Sequence, residues 1–140
     1  MENILYKELS YEVYGAAIEV RKSFGPGHKE KLYQKAFEEE LKLRNLSYEK
    51  EKSISIYSPK TGRSIGVYRP DFIVENKIIV EIKAQRIISR AIIDQLFDYL
   101  RNSKYELGYF INFSSPRLFI KRIIYTNDRK HWLKHINSHK

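Results

Sequence analysis

The stretch Tyr68–Gln85, YRPDFIVENKIIVEIKAQ, determines how this sequence is expected to fold. Its segment 77–83 is a run of branched aliphatic residues, typical of a buried strand, that also carries Glu81 and Lys83. Because side chains alternate across a strand, Glu81 and Lys83 share one face with Ile79, and the opposite face is entirely aliphatic. Two largely apolar faces indicate a central strand, so the two charged residues require an explanation.

The connection to the preceding strand decides whether a second carboxylate joins them. A short connection makes the two strands antiparallel, and directly opposed residues then point to the same side of the sheet. A three-residue connection, Glu75–Lys77, places Asp71 opposite Glu81. A two-residue connection, Glu75–Asn76, turns Asp71 to the other face unless a bulge restores the register. The sequence leaves both registers open.

In the first register, two carboxylates meet in a poorly hydrated place, where they repel each other and one tends to keep a proton. A divalent cation removes this conflict, and oxygen ligands without Cys or His suit Mg²⁺ or Mn²⁺. Lys83 is then placed to orient or deprotonate an attacking water, or to stabilise charge developing on phosphorus. The pattern predicts a phosphodiester-cleaving site at Asp71, Glu81 and Lys83. A surface ion pair between Glu81 and Lys83 on an edge strand is the alternative.

The remaining periodicity predicts one α/β domain over residues 1–140, with a mixed β-sheet flanked by α-helices. Gly25-Pro26-Gly27 separates the first two helices. The predicted order is α-α-β-β-β-α-β-β, followed by a basic tail from about residue 127. The predicted helices cover about 3–24, 28–44 and 89–102, and the strands about 49–57, 64–74, 77–84, 106–113 and 118–125.

Composition excludes several classes of protein. The absence of cysteine rules out disulfides, cysteine-based zinc sites, iron–sulfur clusters and thiol nucleophiles. No apolar run approaches the roughly 18 residues needed to span a bilayer, and no signal-peptide pattern opens the chain. We therefore expect no membrane association and a cytoplasmic, nuclear or nucleoid location.

The net charge of +9 is unevenly placed along the chain. Residues 1–52 carry ten basic and ten acidic side chains, whereas residues 53–140 carry sixteen basic and seven acidic ones. This asymmetry predicts a positive surface that faces a polyanion such as nucleic acid, although a merely solubilising surface is the alternative. The candidate backbone contacts are Arg63, Arg69, Arg86, Arg90, Lys121 and Arg122.

Three residues on the predicted helices are further candidates. Glu30 falls on the apolar stripe of the second helix and also in its first turn. It is therefore either a third carboxylate that reaches the site or an ordinary acid at a helix N-terminus. Gln95 and Tyr99, four residues apart, share one helical face and either position water or phosphate or simply pack.

Several of these residues together resemble a known family. The segment GHKEKLY, 27–33, fits the Gly-x-x-Glu-x-x-Tyr signature of the GxxExxY protein family, and the resemblance extends from about Leu9 to Ile124. That family is similar to the PD-(D/E)XK nuclease superfamily, whose motif corresponds here to Pro70-Asp71 and to Glu81-x-Lys83. The resemblance implies a restriction-endonuclease-like fold and a Mg²⁺-dependent phosphodiesterase.

The resemblance also implies individual roles. Asp71, Glu81, the Ile82 carbonyl and Glu30 would hold Mg²⁺ or Mn²⁺, and Lys83 would assist the attacking water. Gln95-x-x-x-Tyr99 is similar to a motif of the RecB-like branch. The implied activity is a nuclease acting on nucleic acid, with DNA favoured over RNA, although the sequence does not decide between them. A homodimer is one possible arrangement. A catalytically silent nucleic-acid-binding module and a protein-interaction domain are the alternatives.

Overall fold

The computed structural model describes residues 4–138 as four α-helices, one 3₁₀ turn and seven β-strands. The helices are α1 (Lys7–Phe24), α2 (Glu30–Leu43), α3 (Arg90–Arg101) and α4 (Leu133–Ser138), and the 3₁₀ turn covers Asn127–Arg129. The strands are β1 (Tyr48–Lys50), β2 (Ile54–Tyr57), β3 (Ser64–Tyr68), β4 (Phe72–Val74), β5 (Ile78–Lys83), β6 (Leu107–Asn112) and β7 (Phe119–Ile124).

Five strands form a mixed sheet in the order β1-β4-β5-β6-β7. The central strand β5 is antiparallel to β4 and parallel to β6, and α3 provides the crossover between β5 and β6. The strands β2 and β3 form a separate two-stranded hairpin. The predicted fold class, a mixed sheet flanked by helices, is confirmed, and β5 is the central strand that its two apolar faces require.

Helices cover both faces of the sheet and bury the two sides of β5. On one side, Ile78, Val80 and Ile82 belong to a core formed with the apolar faces of α1 and α2. On the other side, Ile79 packs in a second cluster that includes Leu96 of α3. Glu81 and Lys83 project from this second face, beyond the end of its apolar cluster.

Two predicted strands are each divided in the structure, which corrects the predicted element order. The strand expected over 49–57 is broken at 51–53, where Glu51 adopts a left-handed conformation with a φ of 51°. The strand expected over 64–74 is broken at 69–71, because Pro70 has no N–H to donate to a ladder. Both breaks let the β2–β3 hairpin leave the main sheet.

The predicted helix boundaries also shift slightly. Helix α1 begins at Lys7 rather than near Asn3, a position that lies outside the described residues, and α2 begins at Glu30 rather than His28. Within residues 4–138, no helix has the length and apolar character needed to cross a membrane.

Residues 127–138, hereafter the C-terminal segment, hold the hairpin in place. Trp132 is 3% exposed, stacks on Tyr57 of β2 with ring centroids 5.1 Å apart, and donates its Nε1–H to the Arg101 carbonyl at 3.0 Å. At Gly62, in the hairpin turn, a Cβ would lie 2.6 Å from the Cβ of His135, so only glycine allows this contact. The hairpin is thus fixed between α3 and the C-terminal segment.

Replacing Trp132 by Ala should lower the free energy of unfolding by about 3 kcal/mol or more, because a buried aromatic side chain and its contacts are lost. Trp132→Phe keeps the stack on Tyr57 and should lose much less. Urea unfolding followed by circular dichroism measures both, with Tyr11→Ala, at a site 73% exposed, as the control. Equal effects of Trp132→Ala and Tyr11→Ala would contradict the role given to the C-terminal segment.

Candidate active site

The register between β4 and β5 brings two carboxylates together. Val74 opposes Ile78 in the ladder, so one step beyond the paired residues Asp71 lies opposite Glu81. The connection is the three-residue segment 75–77. Of the two registers that the sequence allows, the structure has the one that places Asp71 and Glu81 on the same side of the sheet. These two residues are called the acid pair below.

Two crossed hydrogen bonds fix the acid pair to the main chain. The Asp71 N–H donates to Glu81 Oε1 at 3.0 Å, and the Ile82 N–H donates to Asp71 Oδ2 at 2.7 Å. Each carboxylate therefore accepts a backbone hydrogen bond from the strand that carries the other. Because Pro70 ends the regular ladder, these bonds to side chains replace main-chain pairing at this point.

The pKa of Glu81 shows that neighbouring groups do not fully compensate the negative charges of the acid pair. Burial, followed by the negative charge of Asp71, raises the pKa of Glu81 to about 7. The Tyr68 hydroxyl, the Asp71 N–H and the ammonium of Lys83 act in the opposite direction and compensate only in part. Glu81 thus binds a proton more readily than an exposed glutamate does.

Asp71 is shifted in the same direction. Burial raises its pKa most, the hydrogen bond from the Ile82 N–H opposes the rise, and the charge of Glu30 adds to it. Lys83 lowers the pKa of Asp71, and Glu51 raises it. Glu51 stands at the break between β1 and β2, where its N–H donates to the Asp71 carbonyl at 3.3 Å. No pattern in the sequence indicates that Glu51 approaches the site.

Glu30 is connected to the site by Gln34, a residue that the sequence pattern did not indicate. The Gln34 amide nitrogen donates to Asp71 Oδ1 at 3.2 Å and to Glu30 Oε2 at 3.4 Å. Glu30 and Gln34 are one helical turn apart on α2, so one amide spans both carboxylates. The i,i+4 spacing from Glu30 was the available signal, although that spacing is common on helices.

Two stacked tyrosines cover Glu81 on the side of the hairpin. The rings of Tyr68 and Tyr99 lie 4.0 Å apart with an interplanar angle of 15°. The Tyr68 hydroxyl is buried beside Glu81 without the geometry of a regular hydrogen bond, and burial raises the pKa of Tyr68 strongly. Tyr99 therefore adjoins the site indirectly, by stacking on Tyr68. Gln95 is exposed on α3 and, among residues 4–138, hydrogen-bonds to neither member of the acid pair.

Comparison with known protein families identifies the group. A family model described as the PD-(D/E)XK nuclease superfamily matches residues 7–123. The chain belongs to this superfamily. No curated protein and no solved structure gives a significant match. The matched range contains the acid pair and Lys83 but ends before the C-terminal segment.

PD-(D/E)XK nucleases generally use divalent metals, and the donors at the acid pair suit such an ion. In a strand, the N–H and C=O of one residue lie on the same side, so the Ile82 carbonyl faces the end of β4 together with its N–H. Pro70 is the next residue there and has no N–H to donate to it. The structure thus offers two carboxylates with raised pKa values and a carbonyl oxygen, all hard donors that suit Mg²⁺ or Mn²⁺.

The donor set is limited in one respect. Within residues 4–138, no group of three or more His, Asp or Glu side chains is arranged to hold a metal. The fit therefore rests on the acid pair and a main-chain oxygen, with Glu30 held by Gln34. The residues that are present fit a divalent ion that keeps several waters or substrate oxygens.

The six basic residues that the sequence predicts to contact a nucleic-acid backbone differ in exposure and in their partners. Arg122 is half-buried on the α1 side of β7 and donates to the Leu5 carbonyl at 3.2 Å, whereas Lys121 is exposed on the α3 side. Arg90 is exposed and lies 3.9 Å from the Asp94 carboxylate. The remaining cations of the set are also exposed, namely Arg63, Arg69 and Arg86.

A small cavity lined by charged residues adjoins Asp71, and the sequence did not predict it. The cavity has a volume of about 250 Å³ and lies between α2 and β1. Its charged lining residues are three basic and three acidic side chains, namely Lys31, Lys35, Lys50, Glu38, Glu51 and Asp71. Lys50 Nζ lies 3.1 Å from Glu38 Oε1. All three lysines belong to residues 1–52, the part of the chain whose net charge is zero.

Glu81→Gln should change how stability depends on pH. The folded-state pKa of Glu81, about 7, exceeds the ordinary value of 4.5, so the native state binds this proton more tightly than the unfolded chain. The stability contributed by protonation is complete below about pH 4.5 and is lost as the pH rises through 7. The loss is about 3 kcal/mol.

Gln cannot ionise, so Glu81→Gln should remain more stable than the parent at pH 8 and resemble it at pH 5. Urea unfolding between pH 5 and 8 measures this, with Glu39→Gln on the exposed face of α2 as the control for loss of one charge. Parallel curves for the parent and Glu81→Gln would show that Glu81 is not the titrating group.

Proposed function

We propose that this protein is a divalent-metal-dependent nuclease that hydrolyses phosphodiester bonds of DNA in preference to RNA, and that it belongs to the GxxExxY branch. The observation that supports this function is the acid pair, crossed by backbone hydrogen bonds, with Lys83 on the same face of β5. Burial and mutual repulsion leave a negative site that a cation would neutralise. Membership of the nuclease superfamily supports the same reaction class.

Asp71, Glu81 and the Ile82 carbonyl would hold the Mg²⁺ or Mn²⁺ ion. When bound, such an ion supplies positive charge that polarises the phosphodiester and favours ionisation of water. Glu30 takes a positioning role in this proposal, because Gln34 connects it to Asp71 Oδ1. The direct ligand role that the resemblance implies for Glu30 is replaced by this indirect one.

Lys83 is the residue that would move or hold a proton. Its ammonium acts on both members of the acid pair, lowering the pKa of Asp71 and of Glu81. From this position, Lys83 Nζ would orient the attacking water and stabilise charge on the phosphoryl oxygens. Tyr68 and Tyr99 would exclude bulk water from Glu81, and the exposed Gln95 would contact the substrate phosphate.

A catalytically silent nucleic-acid-binding module is the second candidate. The engagement of Glu30 by Gln34 favours it, because this leaves fewer open carboxylates than a three-acid metal site would have. The exposed cations serve either function equally well. Cleavage, rather than binding, therefore distinguishes the two.

Cleavage of labelled DNA and RNA in linear, single-stranded, flapped and four-way forms tests the proposal, with Mg²⁺, Mn²⁺ or EDTA. We expect metal-dependent cleavage of DNA that falls by about a hundredfold or more in Asp71→Asn and Lys83→Met. Glu39→Gln should cleave like the parent. Binding without cleavage in any condition would favour the silent module, and cleavage by Asp71→Asn at the parent rate would exclude the proposed site.

Metal binding can be measured without turnover. Mn²⁺ should raise the melting temperature of the parent at pH 8, because binding to the native state alone stabilises it. The rise should be much smaller at pH 5, where protons compete for the acid pair, and absent in Asp71→Asn. A rise of the same size in Asp71→Asn would place the ion elsewhere.

A further inference from the structure

The outer strand of the β2–β3 hairpin is unusually exposed for its composition. In β3, Ser64 to Val67 are all exposed, and Ile65 and Val67 keep 68% and 67% of their surface accessible. The strand pairs only with β2, so its other edge has no partner strand among the described residues. Two exposed aliphatic side chains on a strand with an open edge indicate a binding surface.

The charge around these residues indicates the kind of partner. Residues 58–70 contain Lys60, Arg63 and Arg69 and no acidic residue. Pairing of two copies of β3 in an antiparallel arrangement centred on Gly66 would place arginines opposite arginines, which disfavours self-association. A polyanion that also exposes apolar surface could bind the cations through its charge and the aliphatic side chains through its apolar surface.

The hairpin is also held rigidly before any ligand arrives. At its turn, Gly62 is in close contact with the C-terminal segment, and Tyr57 stacks on Trp132. At its base, Ile54 is buried and Tyr68 stacks on Tyr99. A surface that is already ordered loses little conformational entropy on binding.

The hairpin leads directly into the acid pair. Only Arg69 and Pro70 separate the end of β3 from Asp71, and the Tyr68 hydroxyl lies beside Glu81. Because side chains alternate along β3, Val67 faces away from Glu81 while Tyr68 faces it. A polymer that presents a phosphodiester to the acid pair would therefore reach Ile65 and Val67 by passing around the open edge of β3. In a continuous duplex the base faces are hidden by stacking, whereas unpaired nucleotides expose them.

We propose that the β2–β3 hairpin binds unpaired or unstacked nucleotides next to the phosphodiester held at the acid pair. Ile65 and Val67 contact base faces, and Arg63 and Arg69 contact the flanking phosphates. This inference rests on the proposed function for its ligand class and narrows the substrate to nucleic acid with local single-stranded character, such as a bulge, flap or branch.

Fluorescence anisotropy in EDTA tests the proposal without cleavage. The probes are a labelled DNA duplex, the same duplex with an unpaired bulge, and one of its single strands. The variant Ile65→Thr/Val67→Thr keeps branching at Cβ and removes the aliphatic surface. The matched control is Leu43→Gln, at a site 72% exposed on α2. The only tryptophan, Trp132, stacks on Tyr57, so its emission reports whether the hairpin remains docked.

We expect the parent to bind the bulged and single-stranded probes about tenfold more tightly than the duplex, and Ile65→Thr/Val67→Thr to lose this preference. Duplex affinity, Trp132 emission and the behaviour of Leu43→Gln should not change. Arg63→Gln should weaken binding of all probes and reduce the slope of log K against log salt by about one.

Equal affinity of the parent for all three probes would overturn the proposal, as would an unchanged preference in the double variant with normal Trp132 emission. A parent dimer in sedimentation that dissociates in the double variant would assign the surface to self-association instead. The proposed function can fail without the hairpin site. If no probe is cleaved but the parent still prefers the bulged and single-stranded probes to the duplex, the nuclease activity is excluded and the hairpin site is supported. No binding to any probe at low salt overturns both.

Discussion

The exchange of backbone hydrogen bonds within the acid pair is the constraint on which the rest of the site depends. Asp71 can accept from the Ile82 N–H, and Glu81 from the Asp71 N–H, only if β4 and β5 keep the register set by the connection 75–77. A slip by one residue would turn one carboxylate to the other face. The helices and the hairpin then place Lys83, Gln34 and Tyr68 around a pair that the sheet has already fixed.

The sequence predicted this arrangement where its pattern was strong and local. Strand β5 was identifiable because both faces are aliphatic up to Glu81, and the helix break at Gly25-Pro26-Gly27 was equally clear. The register was not, because a two-residue and a three-residue connection both fit the segment 75–77. Main-chain geometry that tertiary contacts determine, such as the left-handed Glu51, has no periodic signature.

Contacts between distant segments were beyond the sequence pattern for a similar reason. Gln34 is an ordinary helical residue until α2 lies against the end of β4, and Tyr68 reads as a strand residue until it stacks on Tyr99. The charge asymmetry along the chain did not indicate the cavity beside Asp71 either, because Lys31 and Lys35 in its lining belong to the neutral part of the chain. Folding redistributes charge over surfaces that do not follow chain order.

The dependence of the hairpin on the C-terminal segment has a consequence for synthesis of the protein. Residues 127–138 are translated after every strand of both sheets, yet Trp132 and the neighbours of Gly62 complete the packing of the hairpin. Packing of the hairpin that adjoins the acid pair can therefore be completed only after the chain has been made as far as Trp132, later than every strand of the central sheet.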